Sequence, residues 1–259
     1  MRYTVLAWYR LTRAYFLTAI GQPLSLVLLG VGQGLVLWLT YWLWFALYSA
    51  DPQRAGLQFE QALLLIATAQ TFFALVQTGV DYQFSWELRS GQVATYLVQP
   101  LPLALRYFAY ACARALAQAL PLVPVWFGFV LLAGLAPALS AWALAAMALA
   151  LILVFCIDLT VGLAGLVVTD QWGITASKDT LIQFCGGALV PLAFFSPPVR
   201  EALNRLPFVH AFQTPVGFVT GLAAEPVTLA WQLLWCLLAV LGMRWALRLA
   251  LRRILIFGA

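Results

Sequence analysis

Charge is what this chain has least of. Asp, Glu, Lys and Arg together make up 9% of its 259 residues, against about 25% in an ordinary soluble domain. So few charges cannot coat a water-facing surface, which excludes a soluble globular protein. Histidine occurs once, at His210, so any histidine-dependent centre has a single candidate, and a hydrogen-bonded structural histidine is the plainer reading. No Gly-x-x-x-x-Gly-Lys-[Ser/Thr] loop is present, which excludes nucleotide binding in the P-loop manner. Neither Gly-x-Ser-x-Gly nor His-Glu-x-x-His occurs, and no serine has an evident base partner. Cys112, Cys156, Cys185 and Cys236 lie in apolar runs without metal-ligand spacing and read as small packing residues. No convincing internal repeat is visible, which weighs against a secondary transporter built from two similar halves.

What is abundant is apolar: 64% of the residues are hydrophobic, in runs long enough to cross a bilayer. The chain therefore reads as an all-α polytopic membrane protein, one transmembrane domain over residues 1–259. Six spans are expected, near 22–48, 60–80, 107–132, 141–168, 180–197 and 227–249. The first ends in an aromatic belt of Trp38, Tyr41, Trp42, Trp44 and Tyr48. Asp51 to Arg54, Gly134 to Ser140 and residues 169–179 read as polar turns or connections. The uncharged run from Ala14 to Ala50 is far longer than a secretory signal's apolar core and is expected to be retained. Within residues 2–20, Arg2, Arg10 and Arg13 share one sector of a helical wheel, largely opposite Val5, Trp8, Leu11, Tyr15 and Phe16. That pattern predicts an amphipathic helix in the headgroup layer; a positively charged flank is the simpler alternative.

Orientation follows from the basic residues. With a cytoplasmic N-terminus, eleven of the 14 Lys and Arg residues face inward, leaving Arg54, Arg200 and Arg205 outside. The positive-inside rule then puts both termini in the cytoplasm. The net charge of +5 is a matter of topology, and no soluble basic patch remains to grip nucleic acid.

Three constellations stand out. Residues 186–221 remain apolar yet carry prolines at 191, 197, 198, 207 and 215, too many for one spanning helix. Lipid does not tolerate the freed backbone groups, so the segment is expected to form two short helices that dip in from the outer side and return. Residues 81–106 form a long polar connection, with Arg89-Ser90-Gly91 as a turn between two short helical pieces. From the residues alone it is either a docking surface, with Glu87 and Arg89 as polar contacts, or an ordinary interfacial helix. Finally, Arg114 and Asp158 fall inside predicted spans at depths about one helical turn apart. A mutual ion pair is expected, because an unpaired charge there costs several kcal/mol. The pair is either structural or part of a polar path. Gly30 and Gly34, spaced for close helix contact, add a weaker signal, as do Gly217 and Gly221.

Two of these segments carry a family resemblance. Glu87-Leu88-Arg89-Ser90-Gly91 through Tyr96-Leu97-Val98-Gln99-Pro100-Leu101-Pro102 is one. Gly186-Gly187, Pro191-Leu192, Phe194-Phe195, Leu206-Pro207-Phe208, Pro215 and Gly221 form the other. The chain resembles the membrane subunits of ABC type 2 exporters, in particular their short, daunorubicin-like six-span bacterial branch. Gln99 departs from that branch, which usually has arginine there. The resemblance implies that residues 81–106 hold a coupling helix for a separate ATPase, with Trp86, Glu87, Leu88, Arg89 and Gly91 at the contact. It implies an N-terminal elbow helix at 2–20, and an outer gate at 191–221 involving Gly186, Gly187, Pro191, Pro207, Phe208, Pro215 and Gly221. It further implies two permease chains, identical or related, in a bacterial inner membrane. ATP and Mg would be bound by the ATPase subunits and no cofactor by this chain, which would be noncatalytic. An ion-coupled transporter working through Arg114 and Asp158 is the alternative of a different class, with an intramembrane enzyme or scaffold behind it.

Overall fold

The computed structural model describes residues 2–50, 56–138, 140–166, 168, 170–222 and 225–257, without the side chains of Arg2 and of residues 253–257. The polar turn expected from Asp51 to Arg54 lies outside the described residues. Every regular element among those described is helical: α1 Arg2–Ile20, α2 Pro23–Ala50, α3 Phe59–Val76, α4 Val80–Arg89, α5 Gln92–Leu97, α6 Leu103–Leu132, α7 Ala141–Gly162, α8 Trp172–Cys185, α9 Pro197–Asn204, α10 Pro207–Thr220 and α11 Pro226–Phe257. Short 3-10 helices follow α7 at Leu163–Leu166 and precede α9 at Leu192–Phe194.

Among the described residues, five helical stretches are long and apolar enough to cross a membrane: Pro23–Ala50, Phe59–Arg89, Leu103–Leu132, Ala141–Leu166 and Pro226–Arg252. They correspond to predicted spans one to four and six. The fifth predicted span, 180–197, is corrected. The apolar run there is not one helix: α8 begins earlier, at Trp172, and stops at Cys185. Gly187 then takes a left-handed conformation at φ 79°, and Pro191 cannot donate a backbone hydrogen bond.

α3 and α10 form the middle of the bundle. Packed around them, Leu65, Ala69, Phe72 and Val76 of α3 meet Leu153 and Val154 of α7, Ile182 of α8, Phe212 and Val216 of α10, and Cys236 of α11. α2 and α11 turn exposed leucines, valines and tryptophans outward, among them Leu28, Trp38, Trp231 and Leu241. Such faces suit lipid, where apolar burial no longer drives association and close packing with interhelical hydrogen bonds must do so. Those bonds are present: Gln33 Nε2 donates to Thr71 Oγ1 at 3.0 Å, Thr40 Oγ1 to Gln70 Oε1 at 3.0 Å, and Gln232 Nε2 to the Ala146 carbonyl at 2.8 Å. The Gly30 and Gly34 pair lets α2 lie on α6; a Cβ on Gly30 would stand 3.0 Å from the Pro121 ring. Helix α1 forms over the expected residues and lies along α6, with Trp8 stacked on Phe108 and Tyr15 edge-on to Tyr110.

The closest approach in the fold is that of α4 to the end of α7. A Cβ added at Gly162 would lie 2.9 Å from the Asp81 carbonyl oxygen, and one at Gly165 only 2.2 Å from Ser85 Oγ. Glycine is therefore required at both places. Gly165→Ala is expected to lower stability by about 1–3 kcal/mol through overpacking, read as a lower thermal midpoint in detergent. Adding Ser85→Gly should restore most of the loss, whereas Gly128→Ala, where nothing lies within 4 Å, should not lower the midpoint.

Candidate coupling site

The hairpin of α4 and α5 starts at a break. α3 ends at Val76, and Gly79 adopts φ 70° to redirect the chain into α4. Asp81 thereby falls in the first turn of α4, where the unpaired backbone N–H groups favour a carboxylate; its Oδ1 accepts from the Tyr82 N–H at 2.9 Å. Its other oxygen faces the chain's single lysine. Lys178 Nζ lies 2.9 Å from Asp81 Oδ2, 2.5 Å from Asp158 Oδ1 and 3.0 Å from Asp179 Oδ1. Asp81 and Asp158 are almost wholly buried, each with 1% of its side chain exposed. Asp179 in turn accepts from Gln77 Nε2, and the Gln77 carbonyl accepts from Gln118 Nε2 of α6 at 3.3 Å. One ammonium group thus ties α4, α7 and α8 together. Burial by itself would depress the Lys178 pKa, but the surrounding carboxylates outweigh it and hold the amine above the ordinary lysine value, hence protonated.

This arrangement corrects the expected ion pair between Arg114 and Asp158. The structure does not bring them together: Asp158 is engaged by Lys178, while Arg114 makes no ion pair among the described residues and its Nε is buried without a hydrogen bond. Depth along two helices says nothing about which faces meet. Lys178 was missed because 169–179 reads as a polar connection; α8 instead carries it inward as part of a helix. The signal available was its singularity, together with Asp179 beside it.

Farther along the hairpin, Glu87 is buried and faces inward. Its Oε1 accepts from Gln83 Nε2 at 2.7 Å and from the Tyr96 hydroxyl at 3.4 Å, and its Oε2 accepts from the Tyr107 hydroxyl of α6. Its expected role as an outward polar contact is therefore corrected: Glu87 braces α4 against α5 and α6. Leu88 is half-buried against the same core. Trp86, Arg89 and Gly91 remain outward, Trp86 with 51% of its surface exposed. Gly91 holds φ 75° at the turn between α4 and α5, and the expected pair of short helices is found there. Arg106 is held over the Tyr96 ring and donates to Gln99.

The segment predicted to gate the opposite end folds back on the bundle. Gly186 admits α10 closely, since a Cβ there would stand 3.0 Å from the Phe208 carbonyl, and one on Gly187 would stand 2.7 Å from Gln213 Oε1. Pro191 is buried, Pro207 starts α10, and Pro215 lies inside it. Gly221 ends the helix at φ 74°, its N–H bonded to the Gly217 carbonyl at 2.9 Å. His210 is buried within hydrogen-bonding distance of Thr214 Oγ1 and the Asn204 carbonyl, a structural role. Among the described residues no cluster of His, Cys, Asp and Glu suits a metal ion. Away from the hairpin, a cavity of about 450 Å³ opens between α3, α6 and α7, lined by apolar residues such as Phe72, Leu122 and Met147, with Thr68, Thr71 and Ser140 as its few polar groups.

Five helices among the described residues long and apolar enough to cross a membrane, with a polar hairpin braced from within, make this a multi-pass membrane protein. Residues 35–257 match the profile of the ABC-2 family transporter proteins, and the chain belongs to that family. It is a transmembrane permease component of an ABC transporter. No curated protein and no solved structure matches the chain.

Lys178→Met would leave two buried carboxylates, Asp81 and Asp158, and the partly buried Asp179 around an apolar side chain. Removing one partner of a buried ionic group costs about 3–5 kcal/mol, so this variant should show a sharply lower thermal midpoint in detergent. Arg114→Met, which breaks no ion pair, should cost far less.

Proposed function

We propose that the chain is the permease subunit of an ATP-driven exporter, with the α4–α5 hairpin as the element that a separate ATPase pushes. The observation that carries this reading is the contrast within the hairpin. Its tip presents Trp86, Arg89 and Gly91 outward, while Asp81, Ser85 and Glu87 fix its inner face to α6, α7 and α8. A lever needs both properties: a surface for the driver and a stiff attachment to the load. The family match supports an ATPase partner, which would hold ATP and Mg.

In this reading both termini and the hairpin face the cytoplasm of a bacterial inner membrane, and α1 is the elbow helix at the headgroup layer. The segment from Pro191 to Gly221 guards the outer exit, with α9 and α10 as its two short helices. A second permease chain completes the path. The substrate is amphipathic, a drug-like compound, peptide or lipid, in keeping with the apolar cavity between α3, α6 and α7. The ion-coupled alternative loses its basis, because its two working charges are not together.

Trp86→Ala tests the proposal. An exposed aromatic at the centre of an interface contributes about 2 kcal/mol or more. The variant should fold normally but co-purify with at least about tenfold less ATPase, and substrate-stimulated ATP hydrolysis should fall with it. Proton-driven transport by the reconstituted chain with no ATPase present would overturn the reading.

A further inference from the structure

A second concavity lies at the hairpin end of the molecule and differs in character from the apolar cavity. It is a groove of about 770 Å³ between the end of α5 and the 98–102 connection, the first turns of α6, the later half of α7 and the C-terminal half of α11. Phe108, Ile152, Phe155, Val240 and Leu247 give it apolar walls, and Arg244 and Arg248 line it as well. These arginines are four residues apart on α11 and so share one helical face. Both are exposed, and neither forms an ion pair or hydrogen bond among the described residues. Among the described residues no acidic side chain lines the groove. The nearby Arg106 is already engaged by Tyr96 and Gln99.

An apolar trough bordered by two uncommitted guanidinium groups, beside helices that turn apolar faces outward, is complementary to one kind of molecule. We propose that the groove binds an anionic phospholipid of the surrounding bilayer, with the phosphate on Arg244 and Arg248 and an acyl chain along Phe108, Ile152 and Phe155. Arginine forks match phosphate oxygens in pairs, and basic pockets between membrane helices recognise anionic headgroups by this chemistry. The site lies outside the hairpin tip, so it stands whether or not an ATPase docks there.

The test uses the full-length chain purified in a neutral detergent, titrated with phosphatidylglycerol or phosphatidylcholine, with bound lipid counted by native mass spectrometry. Wild type should prefer phosphatidylglycerol by about thirtyfold, the factor two basic side chains supply near an anionic headgroup. Arg244→Gln and Arg248→Gln should each cut the preference to about fivefold and the double variant abolish it, while Arg252→Gln, outside the groove, should leave it intact. Ile152→Trp, which fills the trough and keeps both arginines, should lose both lipids. If the double variant unfolds, the single variants still decide. Equal binding of the two lipids by wild type, or an unchanged preference in the arginine variants, would sink the proposal. So would displacement of the lipid by millimolar inorganic phosphate, which would mark a headgroup site with no acyl trough. Lipid excluded because a second copy of the chain fills the groove would sink it equally.

Discussion

The fold turns on one buried ammonium group. Taking Asp81, Asp158 and most of a lysine out of water is costly, several kcal/mol per ion even after relaxation, and the cost is offset only where opposite charges meet at hydrogen-bonding distance. Lys178 meets Asp81, Asp158 and Asp179 at such distances. Because these residues come from three helices, each helix is bound to the position of the other two. α4 cannot tilt away from α7 and α8 without leaving a charge unpaired. Glycines at 162 and 165 reinforce this by admitting Asp81, Phe84 and Ser85 of α4 against the end of α7 and the 3-10 turn that follows it.

The two ends of the bundle are built on different principles. At the hairpin end, polar side chains are numerous and paired, from Glu87 with its two tyrosines and glutamine to the Lys178 cluster. At the other end an apolar cluster of Leu63, Trp126, Val130, Ala146 and Phe218 and the cavity beside it are crossed by neutral hydrogen bonds, such as Trp126 Nε1 to Thr68 Oγ1 at 3.2 Å and Gln232 Nε2 to the Ala146 carbonyl. Among the described residues, the ion pairs that join different helices are therefore found where the hairpin attaches, and neutral hydrogen bonds where the cavity opens.

Much of this was legible in the sequence. Helices α2, α3, α6, α7 and α11 follow from apolar runs, and the α4–α5 turn from Arg89-Ser90-Gly91, because glycine alone takes φ 75° without strain. The inward face of α4 was legible too: Val80, Phe84, Glu87 and Leu88 recur at helical spacing, and Glu87 was misread only because it is charged. What could not be read was rotation about helix axes. Arg114 and Asp158, expected at similar heights, have different neighbours, since counting along the chain leaves the facing direction open. The stretch from 180 to 197 failed for another reason. Its hydropathy is that of a span, but Gly186, Gly187 and Pro191 allow the chain to bend where α10 must pass.

The shortness and burial of α10 bear on how the protein is made. Its 14 residues reach about 21 Å, less than the roughly 30 Å of hydrocarbon, and from Val209 to Thr220 only Gln213 is less than fully buried. Such a helix has no stable resting place in lipid alone. Its stable place is the protein slot walled by α3, α7 and α11. Because α3 and α7 precede it in sequence, two of those three walls are synthesised before α10 itself.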